Sequence, residues 1–242
     1  MDFFRPHTQV EAVLVTNSCA RGTATPESDL DMAVLIAPDT LPTERLELEN
    51  SWQAYAAANE VFGSLRQAGR FTGVHLDLFD GRFTPDVWDD GGGPDNLELE
   101  VGNLLCYSAP LWERGDALKD LKGVWLPYYT EELRQERLTM VCRACRYDLE
   151  HVPFYVSRQL PFQAFDRLYK AFREFLQALF IARRMYPLAY NKWIREQVED
   201  RLGLPELYAQ LPSVLEAGRL ESDDMVSNAL KLRELLDRWV GA

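Results

Sequence analysis

The strand-like segments that stand out in this chain lie ahead of Gly102, and from about Pro127 onward helix-like segments follow, with few strand-like ones among them. Residues 11–15 (EAVLV), 31–36 (DMAVLI) and Val74–Phe79 (VHLDLF) are short apolar runs bounded by polar or turn-forming residues, the pattern of buried strands. Leu97–Val101 reads as a further edge strand. Residues 42–69 carry Leu46, Trp52, Tyr55, Val61, Phe62 and Leu65 at helical spacing, with Gly69 as the stop, and predict one long helix. Residues 88–94 (WDDGGGP) read as an exposed loop. Downstream, residues 131–150, 163–186, 190–202, 206–217 and 222–240 read as helices, punctuated by Pro153, Pro161, Pro187 and Pro205. This segregation predicts an α+β chain, with an α/β domain over residues 1–125 and an all-helical bundle over residues 126–242.

The hydrophobic share, 47% of residues, is ample for a buried core, so disorder is not expected. No run approaches the roughly 20 apolar residues of a membrane span. The opening residues, with Asp2, Arg5 and His7, lack the apolar core of a secretion signal, so a cytoplasmic address is expected. The formal charge of −12, from 26 basic and 38 acidic residues, argues against duplex nucleic acid as a partner. It would favour a cationic acceptor, though it also serves plain solubility. Cys142 and Cys145 form a C-x-x-C, but only His151 lies nearby and no second ligand pair follows, so two helical thiols are the expectation.

The chemistry is concentrated in residues 16–36, where a strand ends, a small polar turn follows, and Asp29-Leu30-Asp31 leads into the next strand. Ser18 lies where a turn after a strand exposes backbone N–H groups and a hydroxyl, a nest suited to phosphate oxygens. Gly22 would let backbone approach a ligand closely, and Arg21 is a charge partner for phosphate or for a local acid. Asp29 and Asp31, two apart at a strand mouth, point to one face of the sheet. Two carboxylates on one face repel unless a cation sits between them, and hard divalent ions prefer oxygen ligands. In Val74–Phe79, alternation puts His75, Asp77 and Phe79 on one face and Val74, Leu76 and Leu78 on the other. Asp77 is therefore a charge in an apolar strand, a candidate third metal ligand or the base near an acceptor hydroxyl.

Residues 17–31, NSCARGTATPESDLD, resemble the signature G-S-x-A-R-G-x-A-x-x-x-S-D-x-D of the nucleotidyltransferase superfamily that includes DNA polymerase beta, in its small-molecule branch. The resemblance implies a mixed sheet with helices. It assigns phosphate handling to Ser18 and Gly22, metal binding to Asp29 and Asp31, and the third carboxylate to Asp77. Asn17 departs from the family glycine; asparagine tolerates positive φ better than most residues, so the turn can form.

The helical half is similar to the C-terminal domains of antibiotic-type members. There Lys170, Arg173 and Lys192 are candidate partners for the β- and γ-phosphates, against the plainer reading of solvated helix faces. Phe162, Phe165, Tyr169, Phe172, Phe175 and Phe180 follow helical spacing and are expected in the core. The resemblance implies two Mg²⁺ ions, a nucleoside triphosphate co-substrate (ATP expected) and a hydroxyl acceptor on a small molecule, such as an aminoglycoside-like compound. A protein acceptor, as in antitoxin-type adenylyltransferases, a non-catalytic nucleotide-binding or protein-interaction module, and a homodimer all stay open.

Overall fold

The computed structural model describes residues 2–86 and 91–241, so Trp88, Asp89 and Asp90 of the expected loop lie outside the described residues. The chain is α+β and forms two compact units, one of residues 1–84 and 100–127, the other of Pro85–Leu99 and Tyr128–Ala242. The sequence boundary at 125/126 sits next to the observed one at 127/128. The excursion over residues 85–99, which sequence reading kept in the first domain, belongs with the helices.

The first unit opens with β1 (Val10–Val15), the five-residue α1 (Asn17–Arg21) and β2 (Leu30–Ile36). Two helices follow, α2 (Pro42–Ala58) and α3 (Glu60–Ala68), and then β3 (Val74–Phe79). The single helix expected over residues 42–69 is broken because Asn59 adopts extended backbone (φ −80°, ψ 119°), and its side-chain oxygen accepts from the N–H groups of Val61 and Phe62. An asparagine that caps a new first turn outweighs the helical periodicity around it. Asn59→Ala should destabilise this unit by about 1 kcal/mol, read as a shift in the denaturant midpoint at unchanged slope.

Leu97–Val101 is not a strand but α4, continued by a π-helical turn over Gly102–Cys106. The fourth strand is β4 (Ala109–Glu113), and α5 (Ala117–Trp125) closes the unit. The sheet order is β3-β2-β1-β4, with β1 antiparallel to β2 and β4, and β2 parallel to β3. On one face Val13, Met32, Val34 and Leu78 pack against Leu48, Trp52 and Ala56 of α2 and against Phe4. On the other, Leu35 and Phe79 lie at one end with Phe83, Trp125 and Leu121. The opposite end of that face stays open.

The helical unit is built on the hairpin of α6 (Glu131–Ser157) and α7 (Pro161–Ala182), with α8 (Pro205–Tyr208) and α9 (Asp224–Trp239) added. Its core joins Val141, Leu149, Leu168, Phe175, Leu179, Leu232 and Leu236. The helices expected over 190–202 and 206–217 shrink to a π turn (Glu196–Arg201), α8 and a 3-10 turn (Leu211–Val214). Here Gln197 is buried and spends its side chain on the backbone of Leu188, Ala189 and Lys192, holding a non-helical segment in place. Of the aromatic series, Phe172, Phe175 and Phe180 are buried as expected, whereas Phe162 is 79% exposed and Phe165 is exposed too. Those two fall on either side of Ala164, where the buried stripe of α7 begins, and lie off that stripe. Among the described residues no helix is long and apolar enough to cross a membrane.

Candidate active site

The open end of the sheet face in the first unit is where the sequence places its chemistry. β1 ends at Val15, and Thr16 closes the ladder by donating its N–H to the Asp31 carbonyl at 2.9 Å. Asn17 then enters α1 with φ +52°, left-handed backbone that favours glycine and that asparagine tolerates better than most residues. Gly22 ends α1 at φ +70°, and a Cβ there would meet nothing within 4 Å. Its requirement is conformational, not one of crowding.

The first-turn N–H groups of α1, at Asn17, Ser18 and Cys19, have no intrahelical acceptor by geometry. They stand where β1 delivers them. Cys19 Sγ bonds the Asp29 carbonyl at 3.4 Å and Arg21 turns its guanidinium away from solvent, so α1 is fastened to the approach of β2. A local turn in which Thr25 N–H bonds the Ser28 hydroxyl, and Ser28 N–H the Thr25 carbonyl, both at 2.9 Å, feeds the chain into Asp29.

Parallel pairing sets the acids relative to one another. Leu30 donates to the Gly73 carbonyl at 2.9 Å, Asp31 lies opposite His75, and Ala33 lies opposite Asp77. Asp31, His75 and Asp77 therefore share the face that β-alternation predicts. Asp77 stands one side-chain step beyond the Asp31 level, about 6.6 Å along the strand at ~3.3 Å per residue. Asp29 Oδ1 is hidden from solvent, lies 3.7 Å from His75 Nε2, and has no hydrogen-bond donor. Asp77 and His75 are exposed, so the cost expected for a charge on an apolar strand is avoided by leaving this end of the face uncovered.

Asp29 and Asp31 are oxygen donors on adjacent turns of pleat, and one of their oxygens is buried without a donor; both features suit a hard divalent cation. Among the described residues, no group of three His, Cys, Asp or Glu side chains is arranged to hold a metal ion by itself. Mg²⁺ is commonly bound by one or two carboxylates together with substrate phosphates, not by an all-protein cage. The pair therefore fits an ion that is completed by a phosphate ligand.

Lys170, Lys192 and Arg173 belong to the helical unit. Lys170 pairs with Asp166 at 2.9 Å, Lys192 lies 5.7 Å from the Trp193 ring, and Arg173 buries its Nε. Cys142 and Cys145 are free, buried thiols. Burial pushes Cys142 up to about 11 and Cys145 well above the ordinary thiol value, so neither is a thiolate at neutral pH.

Sequence reasoning missed the buried ionic residues of the helical unit: Asp95, Glu98 and Arg137, and Asp148 with Glu174. Their one-dimensional signal is weak, because a charged residue on a helix reads as a solvated face until its partners are known.

No protein-family model matches the chain, and no curated protein matches it. Among solved structures it is similar to a nucleotidyltransferase-like protein from Exiguobacterium sibiricum, at 15% identity and a TM-score of 0.48, over 98% of this chain and 72% of that one.

Proposed function

We propose that this chain is a divalent-cation-dependent nucleotidyltransferase that moves a nucleoside monophosphate, AMP from ATP, to a hydroxyl of a small-molecule acceptor and releases pyrophosphate. The observation that carries this reading is the shared open face: Asp31 and Asp77 on neighbouring parallel strands, Asp29 beside them, and a left-handed Asn17 opening the turn at the same end. In this reading the α1 N–H groups and the Ser18 hydroxyl bind phosphate oxygens, with Arg21 nearby. Asp29 and Asp31 would hold a divalent cation completed by the substrate's phosphates, and Mg²⁺ bound there would supply charge neutralisation on the polyphosphate. Asp77 takes the proton of the acceptor hydroxyl. The hydroxyl oxygen bonds the α-phosphorus as the bond from that phosphorus to the bridging oxygen breaks, and pyrophosphate carries the electron pair away. The net charge of −12 suits a cationic acceptor in the cytoplasm better than duplex nucleic acid.

A second reading, a nucleotide-binding module without turnover, is favoured by the lack of a ready three-donor set among the described residues. Pyrophosphate release with Mg²⁺, ATP and a panel of amino-sugar and other hydroxyl acceptors separates the two. Turnover supports the transferase; Mg²⁺-dependent ATP binding without pyrophosphate across the panel supports the module. Within the transferase reading, Asp77→Asn should lower kcat by about 10²-fold or more, the scale of a lost general base, with less than a few-fold change in ATP affinity by calorimetry. Weaker ATP binding at unchanged kcat would remove Asp77 from the base role.

A further inference from the structure

We infer that Asp148 on α6 and Glu174 on α7 hold one proton between them, so that the α6–α7 hairpin carries a carboxylic acid–carboxylate latch that opens in alkali. The inference concerns the helical unit alone and does not depend on the proposed reaction.

Both side chains are sealed, Glu174 at 1% exposure and Asp148 at 0%. Asp148 Oδ1 accepts from Arg167 Nη1, but Asp148 Oδ2 and both carboxyl oxygens of Glu174 have no hydrogen-bond donor. Three buried acceptor oxygens without donors is an arrangement that two ionised carboxylates cannot sustain, since each needs compensating hydrogen bonds or charge. One proton changes both counts. A protonated Glu174 loses its charge and becomes an O–H donor, and Asp148 Oδ2 is an open acceptor on the facing helix.

No charged side chain among the described residues donates a hydrogen bond to Glu174. Arg167 is committed to Asp148 and lies 5.7 Å and 6.0 Å from the Tyr147 and Tyr155 rings. Lys170 pairs with Asp166. Among the described residues, Arg173 on α7 and Cys145 and His151 on α6 are further titratable or charged groups that act on the two acids. Cys145 spends its thiol on the Ala171 carbonyl, and His151 Nδ1 contacts the Tyr147 carbonyl at 2.8 Å. From the third element, residues 91 and 93 bring glycine backbone against Arg167 and Lys170.

Burial, and then the charge of Asp148, pushes the Glu174 acid up to about 9, against the weaker opposing pull of Lys170, Arg167 and Arg173. A folded-state value raised above the unfolded one gives stability that is full below the unfolded value near 4.5 and is lost as pH rises towards about 9. Ionisation at the upper end places two negative charges against each other inside the hairpin.

The test compares the full chain with Glu174→Gln, an isostere with no acid proton, by denaturant unfolding from pH 5 to 10. Between about pH 5 and 9 the folding constant of the wild type should fall relative to the variant by up to about tenfold per pH unit, and the ratio should level off above that. Parallel profiles would overturn the inference. Infrared spectroscopy of the wild type tests it even if the variant does not fold. A protonated-carboxyl carbonyl band should be present at pH 7 and vanish by pH 10; its absence at pH 7 overturns the inference equally.

Discussion

Asp29→Ala and Asp31→Ala should each abolish the proposed nucleotidyl transfer, by at least about 10³-fold, the scale seen when a group that stabilises developing charge is removed, while the protein stays folded. The two halves of this expectation have one cause. Asp29 Oδ1 is a buried acceptor with no donor, 3.7 Å from an exposed histidine, and Asp31 shares its face. Such groups contribute little to folding and some repulsion to each other, so their removal leaves the unfolding midpoint unchanged or slightly raised. In the proposed reaction their value would lie in a cation that arrives with a polyphosphate. Pyrophosphate release measures the first half and thermal unfolding by circular dichroism the second. A variant that melts as the wild type does and still turns over at full rate would sink the site assignment. A variant that loses both activity and several degrees of stability would make these acids structural.

The placement of the candidate site residues on their strands was more legible in the sequence than the packing around them, for a physical reason. β-Alternation has period two, so reading Asp77 on the same face as His75 needs only the strand assignment, and the parallel register then puts both beside Asp31. The tolerance of Asn17 for positive φ is likewise local, and its φ of +52° follows from residue type and turn. What escaped was decided by individual side-chain hydrogen bonds, some local and some to partners far along the chain. Asn59 divides one periodic stretch into α2 and α3 by capping, a choice that the hydrophobic pattern does not encode. Leu97–Val101 has the composition of an edge strand yet folds as α4, because Glu98 is drawn to a buried arginine 39 residues away. The alternation rule also gave the wrong energetic reason for Asp77. Its strand is apolar on one face only, and the charge sits on the uncovered end of the other.

Arg137→Met should destabilise the helical unit by about 3–5 kcal/mol, the cost of removing one partner from a buried ion cluster. Arg137 is 2% exposed, and its guanidinium donates to Glu98 at 2.6 and 2.7 Å and to Asp95 at 2.6 and 3.0 Å. Gln177 Nε2 reaches both acids at 2.6 and 2.8 Å, and the Tyr129 hydroxyl donates to Glu98 at 2.7 Å. These contacts tie the segment Pro85–Leu99 to α6 and α7 and give it its place in the helical unit. Methionine keeps much of the volume and removes the charge, so among the described residues two buried carboxylates are left with the amide and the phenol as side-chain donors. Neutralising all three groups, in Arg137→Met with Asp95→Asn and Glu98→Gln, should recover much of the loss, since an apolar or neutral replacement of a whole buried cluster is often close to neutral. Denaturant unfolding of the single and triple variants measures both. A single variant within about 1 kcal/mol of wild type, the range of an exposed salt bridge, would mean that the cluster does not hold residues 85–99 in place. A triple variant no better than the single one would mean that shape, not charge, anchors this segment.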